Sequence, residues 1–478
     1  MKSLVPRYCL ESSRPTRRNL FFSAILTLCL GLAAFSVANW TTSGMLVWSD
    51  GVAYFLYSRS LVIDFDTDLT NDYESIAPRY SSRALESLEA NLRYTPDGDR
   101  VVVPWPPGNG LVMAPFYAAG YAVEILASSV SNRPPDSYGI IPQFFFGIGA
   151  LAYGLLGFWA TFYICKDFAN AGAACLASLS TFFAGTAVFY VFLNPSMAHA
   201  SSFGLVSLLS LLWFRQWRDG ISLKAFSAFS FLIGILITIR YQNVIFGLLA
   251  LPLLVRHISR TQDIRLIHLV LSGLVGLIPL SLLVMHTANT ASSDAQIVWA
   301  ANGVLTIGKV PIDLKSPYFF DVLFSCRHGA FHWSPVFAIG TLGLIVAGAM
   351  RDARALVLLA ILAAQVYLIG GLGMLGSAAA DGTSSPNWDN HWAGGTSFGM
   401  RYLTECTPFF AFGLAKLSAS THRLRWLLIT GLFTLVCWNL LLVLAYGLNT
   451  VSRSYCVTYA DMWKGIGDAL KTLFSALS

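Results

Sequence analysis

Charged side chains are scarce in this sequence. Of its 478 residues only 12% are Asp, Glu, Lys or Arg, and 55% are hydrophobic, whereas a soluble domain carries about 25% charged residues. The mean hydropathy is +0.60. This composition excludes a soluble enzyme with one anchor and predicts an all-α polytopic membrane protein. The net charge of +6 indicates no nucleic-acid partner, because the Lys and Arg residues lie in short loops between apolar runs.

Cysteine patterns that are typical of metal sites are absent as well. The eight cysteines are scattered, with no CxxC pair and no Cys/His cluster at zinc spacing. We therefore expect no metal site and no cofactor, although the sequence leaves a divalent metal open. Only Cys326 and Cys456 fall in segments that we predict outside the membrane, where they could form a disulfide.

Apolar runs predict about eleven membrane spans within residues 20–448. Basic residues precede the first run, which places residues 1–19 in the cytoplasm, and each later connection assigned to that side also carries Lys or Arg. The apolar residues of the tail, 449–478, have the spacing of an interfacial amphipathic helix. The long loops, all predicted outside, are about 40–139, 287–334 and 374–401. The predicted spans are 20–39, 140–165, 172–192, 197–214, 225–239, 244–255, 266–286, 335–350, 355–373, 402–417 and 426–448.

One apolar stretch does not fit this count. Residues 110–130 are apolar enough to span, but a span here would invert every later loop. Pro115 is expected to break the middle of the stretch, and Glu124 follows it. We therefore interpret it as a helix that lies on the outer surface or dips in and returns. The alternative is a true span, which gives twelve in total.

Asp50 is the most informative residue of the first outer loop. It follows the first span by about eleven residues, beside Tyr54, and a carboxylate at the membrane surface is a candidate general base. The alternative is a helix N-cap. Residues 64–68 contain two DxD patterns, which bind metal-nucleotide complexes in nucleotide-sugar transferases. Because nucleotide sugars are cytoplasmic, we interpret these acids outside the membrane as a solvated loop or a helix start.

Three arginines are candidates to hold an anion. Arg240 lies between two apolar runs that are each too short for a bilayer, so that it should face protein or a wet cavity. The alternative is an arginine that snorkels to the headgroups. Arg401 ends the third outer loop, and Arg327 ends the second.

Histidines and aromatic residues cluster at the ends of the outer loops. Residues 326–335, with the sequence CRHGAFHWSP, place His328, His332 and Trp333 just before a span. Aromatic faces stack on sugars, and Arg and His donate to anionic oxygens. His199 starts the fourth span, where it either binds substrate or makes a structural hydrogen bond. The alternative for the clusters is an aromatic belt with arginine anchors.

These motifs together resemble the GT-C superfamily of membrane glycosyltransferases, which includes protein O-mannosyltransferases and lipid A aminoarabinose transferases. The resemblance is carried by SDG at 49–51, PPGNG at 106–110, HGAFHWSP at 328–335 and GGTSFGMR at 394–401. It looks most like an uncharacterised bacterial branch. Many members have an Asp-Glu pair at the base position, where this chain has Asp50 followed by Gly51.

The resemblance implies an inverting glycosyltransferase that moves a hexose or pentose from a polyprenyl-phosphate donor to a lipid, glycan or protein acceptor. It implies a bacterial plasma membrane protein, surrounded by membrane lipids, with its active site facing outside. The expected residues are Asp50 as base, Arg240, Arg401 and Arg327 for the donor phosphate, and His199, His328, His332, Trp333 and Tyr54 for the substrate. The alternative is a secondary transporter of an anionic or sugar-like solute, which long loops on one side only argue against.

Overall fold

Most of the described chain is helical. The computed structural model describes residue 31 and residues 45–80, 82–95, 98–259, 266–290, 297–299, 304–307, 310–315, 317–372, 374–375, 386–387, 392–420, 425–453 and 455–477. Within these residues six helices are long and apolar enough to cross a membrane, and three shorter apolar helices accompany them. The predicted all-α polytopic membrane fold is confirmed in this part of the chain. The predicted first span, 20–39, lies outside the described residues apart from Gly31.

The first outer loop folds into short helices and one small hairpin. A π-helical stretch, Ser60–Asp64, continues the first helix. Asp72, on the second helix, lies 3.2 Å from Arg59 and accepts a hydrogen bond of 3.2 Å from the Tyr138 hydroxyl. Burial raises the pKa of Asp72 to about 7, although the Arg59 charge opposes the shift. The helices are α1 Gly51–Arg59, α2 Thr70–Ile76, α3 Ser82–Asn91 and α4 Gly108–Val130, and the hairpin pairs β1 Arg93–Tyr94 with β2 Val101–Val102.

The helix α4 corrects one expectation. Pro115 does not break the stretch, because α4 continues through it for 23 residues. The proline removes one backbone hydrogen bond, but close packing against the following helix, Ile140–Lys166, supports both sides of it. A Cβ built on Gly120 would meet Phe145 at 2.7 Å, and one built on Gly149 would meet Phe116 at 2.7 Å. These contacts pair the two helices in antiparallel fashion.

The loop that follows α4 packs on the first outer loop. Arg79 forms a 2.9 Å ion pair with Asp136, and the Tyr80 hydroxyl donates to the Tyr138 carbonyl at 2.9 Å. The far end of α4 therefore lies beside residues 70–80, which precede α4 in the chain.

Helical structure matches each predicted span after the first. Four of these spans are not single α-helices, because 3-10 or π-helical turns interrupt three of them and a turn at residues 275–276 divides the span 266–286. The elements are α5 Ile140–Lys166, α6 Ala171–Phe183 with a π-helical turn at Phe189–Leu193, α7 His199–Asp219, α8 Leu223–Ile239, a 3-10 helix at Tyr241–Leu249 leading into α9 Ala250–Ser259, α10 Leu266–Leu274 and α11 Leu277–Thr290. They continue with α12 Phe319–Phe324, α13 Ala330–Trp333, α14 Pro335–Ala349, α15 Ala353–Gly370, a 3-10 helix at Arg401–Cys406 leading into α16 Thr407–Ser420, α17 Arg425–Gly447 and α18 Tyr459–Leu477.

The described parts of the second and third outer loops contain short antiparallel strands. One strand pair, β6 and β7, flanks residues that the structure does not describe. The strands are β3 Ile297–Trp299, β4 Val304–Ile307, β5 Val310–Asp313, β6 Met374–Leu375 and β7 Pro386–Asn387.

Two features position the outer ends of α14 and α16. The helices approach closely at glycines, since a Cβ built on Gly343 would meet the backbone of Gly413, and Phe337 stacks on Phe410 with ring centroids 4.3 Å apart. The second feature is a disulfide between Cys326 and Cys456, the pairing that the sequence left open. It joins the end of the second outer loop to the segment between α17 and α18.

Candidate active site

Asp50 directly precedes α1, but its side chain does not cap the helix. It adopts a helical backbone conformation and makes no side-chain capping hydrogen bond, unlike a usual N-cap carboxylate. Oδ1 accepts a 2.8 Å hydrogen bond from the Ser87 hydroxyl, and Oδ2 lies 3.5 Å from Nη1 of Arg401. The carboxylate is therefore directed at other elements of the fold rather than at its own helix.

The local backbone explains this orientation. Ser49 has φ 57°, a left-handed conformation that costs free energy in a residue with a side chain. Two positions later, at the start of α1, only glycine is tolerated, because a Cβ on Gly51 would meet Oγ of Ser196 at less than a normal contact distance. Ser196 also donates to the Trp48 carbonyl at 3.2 Å. The turn before α1 is thus pressed against the segment that precedes α7.

Arg401 approaches Asp50 from the start of the 3-10 helix Arg401–Cys406. Its guanidinium carbon lies 5.1 Å from the ring centroid of Tyr402, and Nη2 is 3.4 Å from the hydroxyl of that residue. Nε is buried and has no hydrogen-bond partner. Gly394, with φ 73°, leaves room for this atom, because a Cβ there would lie 2.9 Å from it. A buried guanidinium with a free donor can bind an anion.

Arg240 belongs to a buried ion-pair network. The backbone becomes extended at this residue, where α8 ends and the 3-10 helix begins. Nη1 lies 2.8 Å from Oε1 of Glu405 and 2.6 Å from Nδ1 of His199, and His199 lies 3.4 Å from the same carboxylate. With its amide oxygen turned toward the guanidinium, Gln242 accepts from Nε at 3.1 Å and from Nη2 at 2.7 Å. The protein thus engages most of the donors of Arg240.

Tyr402 connects the two arginines. Its ring centroid is 4.9 Å from the guanidinium carbon of Arg240, comparable to its distance from Arg401. The four nearby charges, Asp50 and Glu405 against Arg240 and Arg401, balance to zero. A ligand with negative charge would change this balance, and Arg401 has the free donor with which to meet it.

Buried tyrosines surround the charged side chains of the cluster. Tyr54 is buried one turn after Asp50, and burial first, then the Asp50 charge, raises its pKa. Tyr54 therefore keeps its phenolic proton at neutral pH. Tyr190 packs against the His199 ring at 4.5 Å and accepts a 3.1 Å hydrogen bond from the Phe398 amide. This hydrogen bond ties the third outer loop to the segment before α7.

His328 lies behind Arg401 in a second, smaller group. Nδ1 is 2.8 Å from the Ala393 carbonyl and 3.2 Å from Oγ of Ser397, so that Nδ1 carries the proton of the neutral ring. Burial lowers the pKa of His328 to about 4, and the Arg327 and Arg401 charges add to the shift. At neutral pH this histidine holds the loop that contains Gly394 in place.

The structure does not bring all the predicted residues to Asp50. Tyr54, His199, Arg240 and Arg401 are within the cluster, and His328 adjoins it. His332 instead lies 2.8 Å from the Val457 carbonyl and stacks on Tyr459. Trp333 is fully buried and donates to the Cys326 carbonyl at 3.2 Å. The Arg327 amide donates to the Ser325 hydroxyl at 3.2 Å.

Three residues of the cluster escaped the sequence reasoning. Glu405 could have been found, because it is the only acidic residue within the predicted span 402–417. Tyr402 directly follows the motif that ends at Arg401, but no pattern singles it out. No sequence signal pointed to Ser87, which lies 37 positions after Asp50.

The DxD residues have local contacts in the structure. Asp66 accepts from the Ser60 hydroxyl at 2.6 Å, and Asp68 accepts from the Thr70 amide at 3.0 Å, at the start of α2. Asp64 pairs with Arg59. Within the described residues no group of three His, Cys, Asp or Glu side chains could hold a metal ion.

Comparison with known proteins adds one broad similarity. No protein-family model matches this sequence, and no curated protein matches it either. Among solved structures, the crystal structure of ArnT from Cupriavidus metallidurans in the apo state is similar over 89% of this chain and 70% of that chain, with a TM-score of 0.49 and 14% sequence identity. At that TM-score, fold and function have to be argued from the residues of this chain itself.

Proposed function

We propose that this protein is an inverting glycosyltransferase of the GT-C type, which moves a sugar from a polyprenyl-phosphate donor to an acceptor at the extracytoplasmic face of a bacterial plasma membrane. The motif resemblance supports the class. The observation that carries the proposal is the pair of Asp50 and Arg401, because a carboxylate not used for capping lies beside a guanidinium with a free, buried donor. A base and an anion-binding group within one site are what such a transfer needs.

The reaction is a single displacement at the anomeric carbon. Asp50 takes the proton of the acceptor hydroxyl while that oxygen forms a bond to the anomeric carbon. The bond from this carbon to the lipid phosphate oxygen breaks, and the phosphate leaves with the electron pair. Because attack and departure occur on opposite faces of the sugar, the configuration inverts. No covalent enzyme intermediate is needed.

Arg401 is the best-placed group for the leaving phosphate. Charge on that phosphate increases as the bond breaks, and a buried cation stabilises it more than water does. Arg240 is the second candidate, although Glu405, His199 and Gln242 already engage it. Tyr54, His328, His332 and Trp333 remain predicted substrate contacts, and Arg327 remains a predicted contact of the donor phosphate. Of these residues, Tyr54 lies within the cluster and His328 adjoins it.

The packing of the outer segments supports a site outside the membrane. The Cys326–Cys456 disulfide places both flanking segments on one side, and disulfides persist mainly in oxidising compartments outside the cytoplasm. The contacts of His328 with Ala393 and Ser397 hold the segment before Arg401 beside the second outer loop, which supports the same side for both.

The proposal is tested by Asp50→Asn in a strain that lacks the native gene. Mass spectrometry of lipid extracts should show that a polyprenyl-phosphate sugar accumulates in this strain and is consumed again when the wild-type protein is supplied. Asp50→Asn should fail to restore consumption, since loss of a general base costs about 10²–10⁴-fold. Glu74→Gln, which changes an exposed carboxylate of the same loop, is the matched control.

Two outcomes would contradict the proposal. Asp50→Asn with more than about a tenth of wild-type activity would remove Asp50 from its role as base. A strain whose defect is the uptake of a solute, with lipid-linked sugars unchanged, would favour the secondary transporter.

A further inference from the structure

The two oxygens of the Asp50 carboxylate have contacts of different strength. Oδ1 accepts a hydrogen bond of 2.8 Å from Ser87. Oδ2 faces Arg401 at 3.5 Å, which is at the limit of a hydrogen bond. The Ser49 hydroxyl is also distant from Oδ1, at 3.4 Å. Ser87 therefore makes the one short hydrogen bond that the described residues give to this carboxylate.

Ser87 is carried by a helix that is itself well anchored. It lies on α3, where Leu85 and Leu88 are 0% and 1% exposed. The Asn91 side chain donates to the Ser87 carbonyl at 2.8 Å, one turn later. A hydroxyl on a packed helix keeps its direction better than one on a loop. The base is thus held by a different element from the one that bears it.

We propose that Ser87 is a positioning residue for Asp50, an inference that rests on the proposed function. Ser87 fixes Oδ1, so that Oδ2 is the oxygen that receives the acceptor proton. Donor binding draws Arg401 from its long contact with Oδ2 toward the phosphate, and this frees Oδ2 at the moment when the donor is in place. Ser87 keeps the carboxylate from turning to follow the guanidinium.

The test removes the Ser87 hydroxyl and then restores it. Ser87→Ala lacks the donor to Oδ1 of Asp50. Ser87→Thr keeps a hydroxyl at this position and should behave as the wild type. Ser129→Ala is the matched control, because it removes an exposed hydroxyl that donates to the Ile125 carbonyl at 2.8 Å, and it should also match the wild type.

Transfer is measured in the complemented strain, and donor affinity is measured in the purified full-length protein. Ser87→Ala should lower the consumption of the lipid-linked sugar about 10- to 100-fold, while the affinity for undecaprenyl phosphate stays within about twofold. Equal transfer by Ser87→Ala and the wild type, or an equal loss in Ser87→Thr, would overturn the role of Ser87 and leave the proposed function standing. Absence of transfer in the wild type would overturn the proposed function and the role of Ser87 with it.

Discussion

The guanidinium groups of Arg401 and Arg240 both contact the Tyr402 ring. They differ, however, in the hydrogen-bond donors that each still has available for a ligand. Arg401 has a long contact to Asp50 and a buried Nε without a partner, whereas Arg240 is engaged by Glu405, His199 and Gln242. The two cations thus predict different behaviour on substitution. Substitution of Arg401 should mainly weaken ligand binding, whereas substitution of Arg240 should also lower the stability of the protein.

Arg401→Ala should weaken the binding of undecaprenyl phosphate roughly ten- to hundredfold. Loss of one charge-assisted contact to a phosphate costs about 1.5–3 kcal/mol. Arg401→Lys should recover only part of the affinity, because lysine lacks the bidentate fork. Affinity is measured directly in nanodiscs, and Arg79→Ala, at an exposed ion pair, is the matched control.

Unlike Arg401→Ala, Arg240→Ala should also destabilise the protein, because it leaves the buried Glu405 carboxylate without its cation. Breaking a buried ion pair in this way typically costs about 3–5 kcal/mol. Unchanged affinity in both variants would move the phosphate site elsewhere, with Arg327 and His328 as the next candidates.

His328 makes the stability of the outer segments depend on pH. Its pKa falls from 6.5 to about 4 in the folded protein, so that the unfolded chain binds a proton more readily between these values. Stability is therefore full above pH 6.5 and is lost as the pH falls toward 4. At pH 5 the loss is about 2 kcal/mol, at 1.36 kcal/mol per unit.

The measurement is the thermal unfolding temperature in detergent at pH 7.5 and pH 5. His328→Asn keeps a donor toward the Ala393 carbonyl but does not titrate, and its unfolding temperature should fall less on acidification than that of the wild type. Equal falls in the two proteins would show that His328 does not carry the effect.

The candidate site shows what sequence reasoning reaches at the scale of residues. Asp50, Tyr54, His199, Arg240 and Arg401 stand out because polar groups beside apolar runs need a reason to be there. Glu405 carries the same signal. Ser87 carries none, because a serine in a polar loop is ordinary and only the folding of α3 brings it to Asp50.

At the scale of elements, α4 decides the topology. The loop that follows α4 contacts residues 70–80 through the Arg79–Asp136 pair and the Tyr138–Asp72 bond, which supports a helix that does not carry the chain to the other side. The length of α4, 23 residues, would suffice for a span. The contacts and the charge pattern of the loops agree, and they set a clear expectation for labelling.

Single cysteines test this expectation in intact cells, in a protein whose other cysteines except Cys326 and Cys456 are replaced. Glu74→Cys and Ser131→Cys should both react with an impermeant thiol reagent, because both lie outside when α4 does not cross. Ser259→Cys, in a predicted inner loop, should react only after permeabilisation. Protection of Ser131→Cys together with labelling of Ser259→Cys would mean that α4 crosses the membrane.

The length of the apolar runs predicted the helices well, whereas the helix-breaking tendency of single residues predicted them less well. The short runs around Arg240 do become irregular, since an extended residue and a 3-10 helix replace a continuous α-helix. Pro115 misled the interpretation, because its cost is local whereas the packing of α4 on α5 runs along both helices. A single sequence shows the proline but not the neighbour that supports it.

For the whole molecule, the Cys326–Cys456 disulfide is the main covalent tie between distant parts of the described chain. Its partners are 130 residues apart, and a bond that closes so long a loop stabilises a fold by about 2–5 kcal/mol. Backbone contacts accompany it, since the Val457 amide donates to the Cys326 carbonyl at 3.1 Å. The predicted topology could suggest this pairing, but the sequence could not establish that the two cysteines lie close enough to form a bond.

Replacing both cysteines by serine should lower the thermal stability of the purified protein by about 2–4 kcal/mol. A reductant should lower the unfolding temperature of the wild type and leave that of the double variant unchanged. Cys437→Ser, at an exposed free thiol, serves as control and should match the wild type in both conditions. Equal stability of the double variant and the wild type would show that packing alone holds these segments together.

The same bond has a consequence for how the protein is made. Cys456 follows α17, so its partner Cys326 must wait, as an unpaired thiol, until α17 has left the ribosome. Until then the loop that carries His328 lacks its covalent support. Biosynthesis therefore completes this side of the site only after α17 has been made, and a nascent chain that stalls before Cys456 leaves the Cys326 thiol unpaired.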